Sequence, residues 1–219
     1  MSRIVLLHAT SVAIEPVKQA FDAHWPEAEL INLLDDGLSV DRARDAGLTE
    51  AMIDRFTALG RYGAAHGAEG ILVTCSAFGP AIDRLAAGLD IPVLKPNEAM
   101  FRAAIDLGAR IGMLATFAPA IPTMEEEFND FARSAGTAAT LETILVEGAM
   151  AELRAGNVAR HNDLVAAQAL ALAGCDAIML AQFSTAQAAG KVGAKVDVPV
   201  LTAPEAAVER MKVLVLGGE

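Results

Sequence analysis

The chain has 219 residues, 53% apolar and only 5% aromatic, which suits a folded, helix-rich α/β protein and excludes a disordered one. Its 28 acidic side chains against 17 basic ones give a formal charge of -11, and no Lys/Arg-rich run offsets it, so neither nucleic acid nor an anionic membrane is an expected partner. The two cysteines, Cys75 and Cys175, show neither disulfide-framework nor zinc-ligand spacing, so the expected compartment is a reducing cytoplasm, and no metal site is expected.

Along the chain, short β-rich runs alternate with Ala-rich amphipathic stretches long enough for helices. The runs "RIVLLHA", "ELINLL", "GILVT", "PVLK", "RIGMLAT", "TLETILV", "AIMLA" and "PVLT" are the predicted strands. Arg3 leads directly into "IVLL" and then His8, too short an apolar run for a signal-peptide core or a membrane span. The apolar region from 164 to 183 is broken by Gln168, Gly174 and Asp176 and reads as helix, turn, strand. The cluster Glu125 to Glu127, after Pro122, is predicted as the acidic first turn of a helix. Continuous apolar strands separated by helices predict parallel sheets covered on both faces.

The halves of the sequence superpose at a constant offset of 107 residues, the separation of Cys75 from Gln182. In that register Arg3, Ile4 and Leu7 fall on Arg110, Ile111 and Leu114, and Gly67 falls on Gly174. Asp90-x-Pro92-Val93-Leu94 falls on Asp197-x-Pro199-Val200-Leu201, and Glu98-Ala99 on Glu205-Ala206. One gapless register across both ends of each copy marks a duplication. The expected architecture is therefore two pseudo-symmetric three-layer α/β/α lobes with parallel sheets and an active site in the cleft between them. The first lobe spans 1–97 and is completed by a C-terminal helix, 205–219; the second spans 98–204.

Ligands of open parallel sheets bind beyond the carboxyl ends of the strands. That rule selects four loops: His8-Ala9-Thr10-Ser11, Thr74-Cys75-Ser76, Ala115-Thr116-Phe117 and Gln182-Phe183-Ser184-Thr185. All four carry side-chain polar groups and none carries Lys or Arg. Hydroxyls and exposed backbone N–H groups suit a carboxylate. Any single Ser or Thr is explained equally well as an N-cap; the convergence of four such loops is what points to a ligand. Cys75, at a strand end, flanked by hydroxyls and placed at a helix start, is the candidate reactive thiol. Cys175, in the turn before a strand, is expected to pack.

The stretches "VTCSAFGPAIDRLAAGLDIPVL", "RIGMLAT" and "GCDAIMLA", in this order after an N-terminal strand ending in a Thr/Ser loop, resemble the aspartate/glutamate/hydantoin racemase superfamily, which includes arylmalonate decarboxylase and maleate isomerase. The resemblance implies two similar lobes, no cofactor, a small carboxylate substrate, and in the racemases a cysteine from each lobe on either face of the α-carbon. It makes Cys75 the first-lobe cysteine, with Thr10, Ser11, Thr74, Ser76, Thr116, Ser184 and Thr185 as carboxylate binders.

The departure is Gln182, which stands at the second-lobe cysteine position and has no useful basicity. A single-thiol site protonates a planar enediolate from one face only, as a decarboxylase can. Arylmalonate decarboxylase also has one thiol, but in the second lobe. A non-catalytic carboxylate-binding relative is the reading from another class. His8 is the candidate substitute base or substrate hydrogen-bonder, Phe117 and Phe183 are further candidate substrate-binding residues, and His161, beside Arg160, is expected to be solvated. Trp25 and Tyr62 are expected to pack, and Asn97-Glu98 to start a helix. The net reaction and the oligomeric state, a homo-oligomer included, stay open.

Overall fold

The computed structural model describes residues 2–217; positions 1, 218 and 219, which the expected lobe limits and C-terminal helix included, lie outside the described residues. The chain divides into two units, one running to Pro96 and resuming at Pro204, the other Asn97–Ala203.

In the first unit the chain runs β1 (Arg3–His8), α1 (Ile14–His24), β2 (Glu29–Leu34), α2 (Gly37–Arg44), α3 (Glu50–Ala65), β3 (Gly70–Val73), α4 (Gly79–Ala87) and β4 (Val93–Leu94). The four strands form one parallel sheet in the order β2-β1-β3-β4. The second unit runs α5 (Glu98–Leu107), β5 (Arg110–Ala115), α6 (Ile121–Ser134), β6 (Thr140–Leu145), α7 (Ala149–Arg154), α8 (Val158–Gln168), β7 (Ala177–Leu180), α9 (Ala189–Gly193) and β8 (Val200–Thr202). Its parallel sheet has the equivalent order, β6-β5-β7-β8. The last helix, α10 (Ala203–Leu216), returns to the first unit. None of the helices in the described residues is long and apolar enough to cross a membrane.

The sequence offset is reproduced in the backbone. β1 and β5, β3 and β7, the 3₁₀ turns Ser11–Ala13 and Ala118–Ala120, and the starts of α1 and α6 are each 107 residues apart. The edge strands β2 and β6 drift out of that register because α6 has 14 residues where α1 has 11. A small polar device is repeated as well: Glu69 Oε1 accepts from the Arg3 backbone N–H at 3.1 Å, and Asp176 Oδ2 accepts from those of Ala109 and Arg110 at 2.9 and 2.8 Å. Each carboxylate thus satisfies the amide at the start of a central strand.

Central strands are buried throughout, as parallel strands covered on both faces must be: in β1 everything after Arg3 is buried, and all of β3 and β7 is. Gly63 of α3 lies against Val5 and Leu33, while Gly70 of β3 lies against Met211 and Val215 of α10 and against Ile4. Adjacent residues of a strand point to opposite faces, so α3 and α10 cover opposite sides of the first sheet. In the second unit Leu114, Ile178 and Leu180 pack with Val165, Ala169, Leu172 and Cys175 in one cluster.

Two expectations change in detail. α6 begins at Ile121, which puts Glu125 to Glu127 in its second turn and leaves no acid in the first. Trp25 is buried and stacks on Phe21, but Tyr62 is exposed and lies over the His66 ring at 4.2 Å instead of packing in the core.

Met211 is fully buried over Gly70, whereas Leu214, on the same helix, is exposed. Met211→Ala is expected to lower the unfolding free energy by about 2–5 kcal/mol, and Leu214→Ala to change it by no more than about 0.5 kcal/mol, in denaturant melts. Equal effects would mean that α10 is not part of the first unit's core.

Candidate functional site

With a strand order of 2-1-3-4, the chain leaves β1 toward one edge and β3 toward the other, so the switch point at which such sheets bind ligands lies at the carboxyl ends of the two central strands of each sheet. In the first unit those ends carry His8-Ala9-Thr10-Ser11 and Thr74-Cys75-Ser76; in the second they carry Thr116-Phe117 and Gln182-Phe183-Ser184-Thr185. Thr10, Cys75, Phe117 and Gln182 occupy the positions just before the 3₁₀ turns, and none of their side chains caps a turn. Capping therefore does not account for them.

The first unit joins three strands through one imidazole. His8, fully buried at the end of β1, lies with Nδ1 2.8 Å from Thr74 Oγ1 and Nε2 2.9 Å from Asn32 Oδ1. With the Asn32 oxygen as acceptor, Nε2 carries the proton and Nδ1 takes the Thr74 hydroxyl hydrogen. Burial pushes the His8 pKa below its ordinary value, against the hydrogen bond donated to Asn32, and so favours the neutral ring. Both ring nitrogens are spent on the protein. His8 is thus placed to orient Thr74, the residue before Cys75. Asn32, the lone amide in the apolar run "ELINLL", was the overlooked partner.

Cys75 is buried, with 9% of its surface exposed, and its backbone is extended. It precedes the 3₁₀ turn Ser76–Phe78, so α4 starts only at Gly79 and not directly behind the thiol. Ser76 is buried, Thr10 half-buried and Ser11 exposed. Cys175 is buried in the second unit's core; burial pushes its thiol pKa up, helped by the Glu142 and Asp176 charges and opposed by Arg110. A cavity beside it, lined by Arg110, Thr140 and Glu142, lies at the amino-terminal ends of β5 and β6, the opposite end of that sheet from Gln182.

In the second unit Gln182 is clamped. Its Oε1 accepts from the Thr116 backbone N–H at 2.9 Å, from Thr116 Oγ1 at 3.1 Å and from Thr185 Oγ1 at 3.3 Å. A backbone N–H can only donate, so the amide orientation is fixed: the oxygen faces Thr116 and the Nε2 hydrogens face the other way. There, among the described residues, Nε2 meets only a weak acceptor, Met124 Sδ at 3.9 Å. Ser184 and Phe183 are buried, and Phe117 is covered by the Arg154 guanidinium 5.7 Å from its ring centre. Candidate residues are thereby brought together within each unit: His8 with Thr74, the residue before Cys75, and Gln182 with Thr116 and Thr185. Among the described residues no group of three or more His, Cys, Asp or Glu side chains is arranged to hold a metal ion.

His161 is not solvated: it is fully buried, since the start of α8 at Val158 sets it one turn before the core residue Val165, on the same face. Its polar neighbours Arg160 and Asn162 hid this in the sequence.

The Asp/Glu/hydantoin racemase family model matches residues 7–211. The chain belongs to the Asp/Glu/hydantoin racemase family. No curated protein matches it. Among solved structures, a glutamate racemase isoform from Bacillus anthracis superposes with a TM-score of 0.79 at 15% identity, over 99% of this chain and 82% of that one. An allantoin racemase from Klebsiella pneumoniae gives 0.72 at 16% identity, over 100% and 89%. A double mutant of arylmalonate decarboxylase, in which one substitution adds a cysteine and the other removes one, gives 0.64 at 18% identity, over 100% and 94%. At these identities the likeness is one of fold, and it places this family member's two α/β units among racemase and decarboxylase structures.

A histidine whose folded pKa is depressed binds fewer protons than the unfolded chain as pH falls below the ordinary value of 6.5, so its contribution is present above that pH and lost below it. The melting temperature is expected to fall between about pH 7 and about pH 5, and His8→Gln to flatten that slope while lowering stability at neutral pH. An unchanged slope would mean that His8 is not buried neutral.

Proposed function

We propose that this family member is a cofactor-independent enzyme that moves a proton at the α-carbon of a small carboxylate, with Cys75 as the proton-transferring thiol. Gln182 is the proposed oxygen-holding group of the second unit. The clamp on Gln182 carries this reading: with Oε1 taken by Thr116 and Thr185, the amide presents only N–H donors, the complement of a carboxylate or enediolate oxygen. A proton leaving the α-carbon puts negative charge on the carboxylate oxygens, so a fixed donor at that place favours the planar intermediate over the ground state. Thr74, held by His8, stands beside the thiol, and Ser76, Thr10, Ser11, Ser184 and the flanking Phe117 and Phe183 complete the substrate-binding set. Glutamate and allantoin, named by the racemases of like fold, and an arylmalonate are the substrates to try first. The two cysteines without disulfide-framework spacing accord with a reducing, cytoplasmic setting.

Turnover is expected to survive exhaustive chelation. Cys75→Ala should abolish it with little loss of stability, while Cys175→Ala should leave turnover near wild type and cost about 1 kcal/mol of packing. The reverse ranking, read from turnover and thermal melts of both variants, would put the reactive thiol in the other unit.

Gln182→Glu keeps an oxygen for Thr116 but turns a second one, anionic, toward the substrate. It is expected to lower kcat/KM by about 10²-fold or more. A Gln182→Glu enzyme with undiminished kcat/KM would remove Gln182 from the site.

A further inference from the structure

The duplication allows one corner of the fold to be compared with its own copy, at the amino-terminal end of each sheet. In the first unit Arg3 stands opposite Glu29 in the pairing of β1 with β2. Its Nε and Nη2 donate to the Glu29 carboxylate at 3.0 and 3.1 Å, and its Nη1 donates to the His66 carbonyl at 2.9 Å. All three guanidinium nitrogens are occupied.

In the second unit the equivalent arginine, Arg110, stands opposite Thr140. Its guanidinium makes no hydrogen bond among the described residues. Its ion partner, Asp176 Oδ1, lies 3.7 Å away, and the other oxygen of that carboxylate is taken by two backbone N–H groups. The acid of the edge strand stands two residues further on, at Glu142 opposite Gly112, and has no ion pair among the described residues. At the positions of Glu142 and Cys175 the first unit has Ile31 and Ala68.

At this corner of the second unit lies the cavity beside Cys175, of about 210 Å³. Residues two apart on a strand, and partners across parallel strands, point to the same side, so Arg110, Gly112, Thr140 and Glu142 share one face of the sheet. Gly112 leaves the sulfur uncovered there: a Cβ on it would stand 3.3 Å from Cys175 Sγ. Glu142 and Arg110 are both close enough to be felt by that thiol, the one raising its pKa and the other lowering it. Ile111 and Leu141 add apolar lining. The Thr140 hydroxyl donates to the Ala109 carbonyl at 3.3 Å, which leaves its oxygen as an acceptor. One free cation, one free anion, an acceptor and an apolar wall thus meet in one cavity. A cavity of about 150 Å³ holds benzene, so this one suits a ligand a few atoms larger.

We propose that this cavity binds a small aliphatic α-amino acid as its zwitterion. Arg110 takes the carboxylate, Glu142 and the Thr140 oxygen take the ammonium, and the side chain lies on Cys175, Ile111 and Leu141. A simple anion would leave Glu142 without a partner, and a simple cation would leave Arg110 without one. Glutamate would press a second carboxylate onto the apolar wall, which costs free energy. The site lies within one unit and does not rest on the role proposed for Cys75.

The test titrates the full chain with L-leucine, beside isocaproate and isoamylamine, which keep its side chain and one charge each, and L-glutamate. Wild type should bind one L-leucine per chain and each of the other three about tenfold more weakly or worse, the effect of one lost charged hydrogen bond. Arg110→Gln and Glu142→Gln should each weaken L-leucine binding by about tenfold or more. Thr140→Glu sets an acid opposite Arg110, as Glu29 stands opposite Arg3, and should abolish binding. All three positions are exposed, so the variants should melt as wild type does. L-leucine should also slow iodoacetamide labelling of Cys175 and leave that of Cys75 unchanged, which locates the ligand. No binding of millimolar L-leucine, equal affinity for a one-charge analogue, variants that bind as wild type does, or protection of Cys75 in place of Cys175 would each overturn the proposal. None of these outcomes removes Cys75 from the candidate site; that is decided by turnover in Cys75→Ala.

Discussion

A parallel strand cannot be paired by a tight turn; its neighbour must be reached by a crossover, and the helix that makes the crossover covers the sheet. From that constraint follow the buried runs of β1, β3, β5 and β7, the helices on both faces, and the gathering of every strand-to-helix loop at one edge of each sheet. The candidates Cys75 and Gln182 sit in those loops. α10 extends the same logic across the chain: without it, the side of the first sheet that holds Ile4 and Gly70 would lose Met211 and Val215 as cover.

Within that frame the polar side chains are oriented by groups that have no choice of role. The Thr116 backbone N–H fixes the Gln182 amide, and the Gln187 carbonyl fixes Asn162 and through it His161. Asn32 and Thr74 hold His8 between them. Buried groups of this kind are costly unless paired; among the described residues Gln182 Nε2 meets only the Met124 sulfur and His161 Nε2 has no hydrogen-bond partner.

Much of this was legible in the sequence because strands buried on both faces are written as continuous apolar runs. "RIVLLHA" and "RIGMLAT" become β1 and β5 with only the last residue lost from each, and "PVLK" keeps only Val93 and Leu94 because β4 is an edge strand paired on one side. The duplication, found from Cys75 and Gln182, holds to the residue in the central strands. What was not legible depends on long-range pairing. Asn32 is 24 residues from His8, and Thr74 is 66. His161 looked solvated beside Arg160 and Asn162, because polar flanks conceal which face of a helix meets the core. The acidic cluster at Glu125 was misplaced by one turn, because Pro122 is the second residue of α6 and Ile121 already begins it.

The claim at the centre is that Cys75 is a working thiol in a carboxylate site, and differential alkylation mapped by mass spectrometry tests it most directly. Limiting iodoacetamide is expected to modify Cys75 before Cys175, whose thiol burial holds above its ordinary pKa, and the substrate turned over by the enzyme to protect Cys75 alone. Modification of Cys175 first, or a Cys75 rate indifferent to that carboxylate, would contradict it.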